Sequence, residues 1–365
     1  MINLTFQALA VGLRSILIFV FIFILTKYTC TSSSILLEFT YASIFSYIIT
    51  YGFDYSLVQD KKDTIELKSF LFKIFLGLSI VLSIIYIQNL DLKIIFYAIA
   101  LSCASIYKGL VRLKKIHKVD FIVNLLSLCL MLMFVFIFNI TDFLGYLSLS
   151  IIIPNLFALC LYVKFHTENL NYSFNSLSNA TPLALYSIIG YLLLNVDVYL
   201  FDYLGKVNSY QDFTIPNRFY MNLTMIPVIL MNYRISYVFE SRSNLFKFFK
   251  EFNVIGIILA VGAFFASEPI IKLISNDSVY LSIFDKLLFS LIIFLRTLNT
   301  YFSMIILKKV SNWVRLYVIS FTLLVHIILL YFFIFRYDWH GAIYSLTISS
   351  FLFLAINFII TKKYL

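Results

Sequence analysis

The stretch GYLLLNVDVYLFDYLGK, residues 190–206, is almost wholly apolar yet carries two carboxylates, Asp197 and Asp202. Apolar runs of this kind recur along the whole chain. Of its 365 residues 62% are hydrophobic and only 13% charged, whereas soluble domains usually carry about 25% charge. That much apolar surface has no place in a soluble fold, so the composition reads as a polytopic membrane protein. The runs are long and do not alternate apolar with polar residues, which excludes a β-barrel and leaves an all-α bundle of spanning helices.

A spanning helix needs roughly 20 apolar residues. Twelve such segments are predicted, at about 6–26, 35–57, 69–88, 94–110, 119–139, 143–163, 182–202, 211–231, 252–271, 283–306, 313–335 and 341–360. The first lacks a small-residue cleavage site and is read as a retained span, not a signal peptide. Twelve spans place both termini on one side, and the basic residues indicate which. One set of loops with the C-terminal tail holds 18 Lys and Arg, and the alternate loops hold five, Lys27, Lys93, Lys206, Lys272 and Arg336. Both ends are therefore expected in the cytoplasm. The net charge of +10 is then largely an orientation signal. The run KGLVRLKKIHK (108–118) sits between two spans and fits anionic lipid headgroups better than nucleic acid.

The spans group as six and six around a loop at 166–181, giving an N-terminal lobe 1–165 and a C-terminal lobe 182–365. Glu38-Phe39-Thr40 and Asp212-Phe213-Thr214 recur at matching places in the second span of each half. Two such bundles related by pseudo-two-fold symmetry suit alternating access. Loops are short, and no phosphate-binding Gly-rich loop is present. The four cysteines show no CxxC spacing, so neither metal ligation nor a disulfide framework is expected.

An ionisable residue within a span is a functional candidate, because it faces protein or water instead of lipid. Arg14 lies in the first span, with Gln7 on the same face. Gln211, Thr214, Arg218 and Asn222 form a stripe on the eighth, beside Pro216. Arg296, Asn299, Thr300 and Ser303 form another on the tenth, and His326 sits in the eleventh. Three mid-membrane arginines with few acids favour an anion, and the guanidinium fork matches phosphate oxygens. Asp197 shares no face with Asn195, two residues away, and needs a cation, a donor or a proton. Each arginine could equally lock helices together. Asp285, Lys286 and Lys73 lie near span ends, where their heads can reach water.

The run ATPLALYSIIGYLLLNVDVYLFDYLGKVNSYQDFTIPNRFY (180–220) resembles the start of the second half in the polysaccharide biosynthesis and export family. These are the O-antigen and capsule flippases of the multidrug/oligosaccharidyl-lipid/polysaccharide exporter superfamily. The matching features are Pro182 opening the span, the membrane acid Asp197, and Tyr210 leading into the next span. YGFDYSLVQD (51–60), FASEPIIKLISNDSVY (265–280) and HGAIYSLTISSF (340–351) are similar to further family segments, though Gln59 stands where an Arg is usual.

The resemblance implies a flippase of the bacterial inner membrane that carries an undecaprenyl-pyrophosphate-linked oligosaccharide. Membrane lipids, a polysaccharide polymerase and its chain-length machinery would be its partners. No cofactor is implied beyond a driving proton or sodium ion, for which Asp197 is the candidate unless it pairs with Arg218. Arg14, Arg218, Arg296, Asn222 and His326 would line the substrate path. A drug exporter of the same superfamily, which would want acids in place of arginines, is the alternative. A membrane enzyme of polysaccharide synthesis ranks last, for want of a large outer loop or a histidine with evident partners.

Overall fold

In the computed structural model the described residues are 32–50, 65–88, 90–114, 116–137, 143–162, 165–166, 174–224, 226–228, 230–231, 245–275 and 279–364, with Phe6, Leu9, Ala10 and Leu13. They are helical almost throughout. The helices are α1 Ser32–Thr50, α2 Leu67–Gln88, α3 Lys93–Lys114, α4 His117–Ile137, α5 Phe143–Tyr162, α6 Phe174–Tyr203, α7 Val207–Leu223, α8 Leu245–Ser275, α9 Ile283–Lys309, α10 Asn312–Tyr337 and α11 Trp339–Tyr364. Eleven of the twelve expected spans coincide with these helices. Of the first, Phe6, Leu9, Ala10 and Leu13 are described, while Arg14 and Gln7 lie outside the described residues. Eight described helices are long and apolar enough to cross a membrane. The fold is an all-α, multi-pass membrane protein. A two-residue parallel pair, β1 Ile65–Glu66 with β2 Phe165–His166, joins the segments flanking α2 and α5.

The chain divides into two compact units, Met1–Tyr191 and Leu192–Leu365. The dividing line falls inside α6.

In the first unit, α1, α2, α3 and α5 close on a core of Ala42, Phe45, Ile49, Val81, Ile94, Tyr97, Ala98, Leu147 and Ile151, joined by Met131 of α4. Gly77 lets α2 ride directly on α1. A Cβ there would stand 2.6 Å from the Ile48 carbonyl oxygen and the Ile49 Cα. Small residues at such crossings are how membrane helices gain van der Waals contact where no hydrophobic force drives association. The polar groups of this core are mostly spent locally. Ser46 donates to the Ser43 carbonyl, Ser150 to Leu147 and Asn155 to Ile151. Ser102 donates to Ala98, with a longer contact to the Ser46 carbonyl of α1.

The second unit starts from three sharp joints. Gly205, at φ 66°, turns α6 into α7, and only a residue without Cβ takes that conformation at little cost. Asp338, at φ 58°, turns α10 into α11. Lys206 ties the two joints together, donating to the Ile334 carbonyl at 2.8 Å and meeting Asp338 Oδ1 at 3.3 Å. At the third joint Ser282 and Asp285 cap α9 reciprocally, which satisfies the orphan amides of a helix start. Asp285 is buried and holds His340 of α11 at 3.0 Å. It therefore does not reach out to water as expected, and His340 has a partner that its sequence context does not reveal. Lys286 pairs with Glu268 of α8, which also takes Lys272 at 3.0 Å.

Helix ends differ from hydropathy limits where polar residues extend a helix past the apolar run. α6 begins at Phe174, so Pro182 lies inside the helix instead of opening it. α7 begins at Val207 and ends at Leu223, and after a turn at Thr224 the residues 226–228 and 230–231 are helical again, so helix reaches the expected limit of 231 with an interruption. The Gly205 turn sets that start, and the helix runs unbroken through Pro216.

Candidate functional site

An aromatic ladder fixes α6, α7 and α9 of the second unit against one another. Phe201 packs on Tyr210 and Phe213 with centroids 5.6 and 5.8 Å apart. Phe289 of α9 receives Phe213 at 6.5 Å and stacks on Tyr220 at 4.3 Å and 5°. Aromatic pairs add about 1 kcal/mol beyond their area, and the ionisable residues stand on the same three helices.

These residues are Asp197 of α6, Arg218 of α7 and Arg296 of α9. Asp197 is buried, while Asp202, nearer the joint, is exposed. Both arginines are half-buried, and both act electrostatically on the Asp197 carboxylate. Neither forms an ion pair with it within 4.0 Å among the described residues. Arg218 Nη2 donates instead to Asn195 Oδ1 at 3.3 Å, and Arg296 Nη1 is directed at the Met221 sulfur. The expected Asp197–Arg218 salt bridge is thus a longer-range contact. The arginine reaches the Asn195 face of α6, which the sequence reading kept apart from Asp197. Tyr210 stands beside the same cluster, its hydroxyl near both Arg218 and Thr214.

Other polar residues are absorbed by structure. Thr214 donates to the Tyr210 carbonyl at 2.7 Å and Thr300 to that of Arg296 at 2.9 Å. Asn299 turns away from Arg296 toward α11, donating to the Ser350 carbonyl at 3.1 Å and accepting from Asn357 at 3.2 Å. The α9 stripe therefore splits, with Arg296 on one side and a helix–helix bond on the other. Asn222 stands in the last turn of α7, its carbonyl taking the Thr224 amide, and helix resumes at 226. His326 is buried between α10 and α11, with Nδ1 2.8 Å from Ser349 Oγ and 3.0 Å from Ser345 Oγ. Arg296 is near enough for its charge to act on the imidazole.

A charge at the bilayer centre costs about 3 kcal/mol on insertion scales. A neutral amide oxygen returns about 1.5–3 kcal/mol to a guanidinium, and a thioether, a weak acceptor, returns less. The cluster holds two cations against one carboxylate, each with weak neutral ligands.

No family profile matches the chain, and no curated protein matches it. Solved structures do. A MATE protein crystallised in complex with MaL6 superposes with TM-score 0.76 at 12% identity, over 99% of this chain and 95% of that one. The fold is that of the MATE transporters. The outward-facing form of a multidrug resistance MATE transporter of the MOP superfamily gives 0.68 at 13%, over 99% and 94%. A MOP superfamily transporter from Pyrococcus furiosus, described as having a binding pocket of reverse polarity, gives 0.69 at 12%, over 98% and 94%. The MATE fold spans this chain from end to end, while the identities say nothing of what it carries.

Two partner sets escaped the sequence reading. Ser345 and Ser349, one turn apart in SLTIS, were visible only as ordinary hydroxyls. Met221 carries no polar signal at all. Asn195 was noted, but its bond to Arg218 depends on how α6 and α7 face each other.

Proposed function

We propose that the protein is a flippase that moves an undecaprenyl-pyrophosphate-linked oligosaccharide across the bacterial inner membrane by alternating access. The observation that carries this reading is the pair Arg218 and Arg296, half-buried in the second unit and facing a single buried carboxylate. A diphosphate supplies the anionic oxygens that Asn195 and Met221 replace poorly, and guanidinium groups bind such oxygens in bidentate fashion. Until it arrives, water hydrates the exposed halves of both arginines. Asp197 offsets part of their charge, which keeps affinity low enough for release. It is also the one buried carboxylate of the cluster available to a coupling proton or sodium ion. The excess of Lys and Arg in one set of loops supports cytoplasmic termini on this reading, with the Lys206, Lys272 and Arg336 ends of the helices outside.

A drug exporter is the second reading, because a structural neighbour is a multidrug resistance transporter. Organic cations would need a net acidic site, and the excess here is basic. The discriminating experiment is ligand-induced thermal stabilisation of the full chain in detergent. Undecaprenyl diphosphate bearing one N-acetylhexosamine should raise the melting temperature, and tetraphenylphosphonium should not. The reverse order would replace the flippase with an exporter.

A further inference from the structure

The sulfur that faces Arg296 is held in place from the backbone. Tyr220, the residue before Met221, stacks on Phe289 of α9 at 4.3 Å and 5°. Arg296 stands seven residues after Phe289, two turns along the same face of α9. The Met221 carbonyl accepts from the Thr224 amide at 3.1 Å and from the Thr224 hydroxyl at 2.6 Å. α7 therefore delivers the Met221 side chain to the Arg296 face of α9, and Arg296 Nη1 is directed at its sulfur. Both side chains are half-buried, whereas Met131 and Met304 are sealed at 0% exposure. A thioether is a weak acceptor, so this guanidinium N–H is poorly satisfied.

We propose that Met221 is a reversible oxidation site whose sulfoxide closes the anion site by engaging Arg296. This rests on the flippase reading and adds a control to it. Hydrogen peroxide is the oxidant. The sulfur lone pair attacks one peroxide oxygen and the O–O bond breaks. The departing hydroxide removes the proton from the transferred oxygen and leaves as water. The sulfur is oxidised to the sulfoxide and the peroxide is reduced. The new oxygen is the negative end of the S–O dipole, a strong acceptor where the thioether was a weak one. Arg296 then bonds an oxygen tethered beside it, and a phosphate must displace that oxygen to bind. The net charge of the cluster does not change. Arg218, which donates to Asn195, is untouched, so binding weakens without being abolished. Methionine sulfoxide reductases restore the thioether.

The full chain, in detergent, would be treated with hydrogen peroxide and the conversion of each methionine followed by mass spectrometry. Met133, 43% exposed, serves as the reference for complete reaction. Affinity for undecaprenyl diphosphate would be measured before treatment, after it, and after reduction by reductases for both sulfoxide epimers. The expected result is a loss of roughly tenfold on oxidation, the worth of one hydrogen bond to a charged group, and recovery on reduction. Met221→Leu should bind equally well before and after peroxide, and Met221→Gln, which carries a fixed amide oxygen, should show the loss without peroxide. Three results would overturn the proposal: Met221 unmodified when Met133 is converted, full affinity with Met221 converted, or an equal loss on oxidation in Met221→Leu.

A second readout needs no ligand. The infrared S–O stretch of the Met221 sulfoxide is isolated by subtracting the spectrum of oxidised Met221→Leu. It should lie at lower frequency in the unaltered protein than in Arg296→Leu, because a guanidinium bond weakens the S–O bond. The same frequency in both would overturn the Arg296 contact. If undecaprenyl diphosphate does not bind the unaltered protein, the flippase reading falls, and the infrared result still decides whether the sulfoxide engages Arg296.

Discussion

The two units bury polar side chains in different ways. In the described part of the first unit, serines and asparagines turn back onto carbonyls three or four residues away. Ser46, Asn124, Ser127, Ser150 and Asn155 all do so. Such bonds satisfy the side chain without committing it to a neighbour. In the second unit Thr214, Thr297, Thr300 and Thr322 also close locally, but other polar groups reach across helices: Arg218 to Asn195, Arg296 to Met221, Asn299 to α11, His326 to two serines. Both regions use local closure, and Ser102 of the first also reaches the Ser46 carbonyl of α1, but the second adds weak ligands around surplus positive charge. On the flippase reading proposed above, the first unit would serve as scaffold and the second would hold the recognition site.

The contrast can be broken most severely at Gly77. Gly77→Val would drive a side chain into the backbone of α1, and overpacking on this scale costs about 3 kcal/mol or more. Loss of a monodisperse peak in fluorescence size-exclusion chromatography is the expected outcome. In the second unit, Arg218→Gln and Arg296→Gln should leave that peak intact. Each should weaken binding of a prenyl-diphosphate probe by roughly tenfold to a hundredfold, the worth of a charged hydrogen bond. If the arginine variants unfold as Gly77→Val does, the arginines are struts and the contrast is lost.

The exchange Asp197→Arg with Arg218→Asp tests a subtler point. Arg218 bonds Asn195, not Asp197, so the double swap should fail to restore the binding that either single change removes. Recovery would show a private salt bridge. Smallest of all, Ser46→Ala or Ser150→Ala in the first unit should shift stability by at most about 1 kcal/mol and leave binding unchanged.

Much of the fold was legible because membrane solvation acts on every residue of a span alike. Hydropathy alone located eleven of the described helices, and Lys206, Lys272 and Arg336 marked one set of helix ends. The site was legible only in part. Charge identified Arg218, Arg296, His326 and Asp197 as costly, because an ion in a span is expensive wherever it points. What each one touches depends on helix rotation and register, which period-3.6 spacing on one helix cannot supply. Asn299 shows the limit. It lies three residues from Arg296 on the same apparent stripe, yet α11 claims it through Ser350 and Asn357. Asp285 shows it again. Its position near a span end suggested a solvated carboxylate, and the capping box with His340 buries it instead.

The central claim is that the arginines of the second unit carry an anionic, sugar-bearing lipid. Reconstitution of the full chain in liposomes, with undecaprenyl diphosphate bearing a single N-acetylhexosamine, tests it directly. Flipping is read as the fraction of probe that becomes accessible to an added lectin. The account predicts protein-dependent flipping that Arg218→Gln and Arg296→Gln each reduce at least tenfold and Ser150→Ala leaves unchanged. Flipping at the unaltered rate in both arginine variants would contradict it.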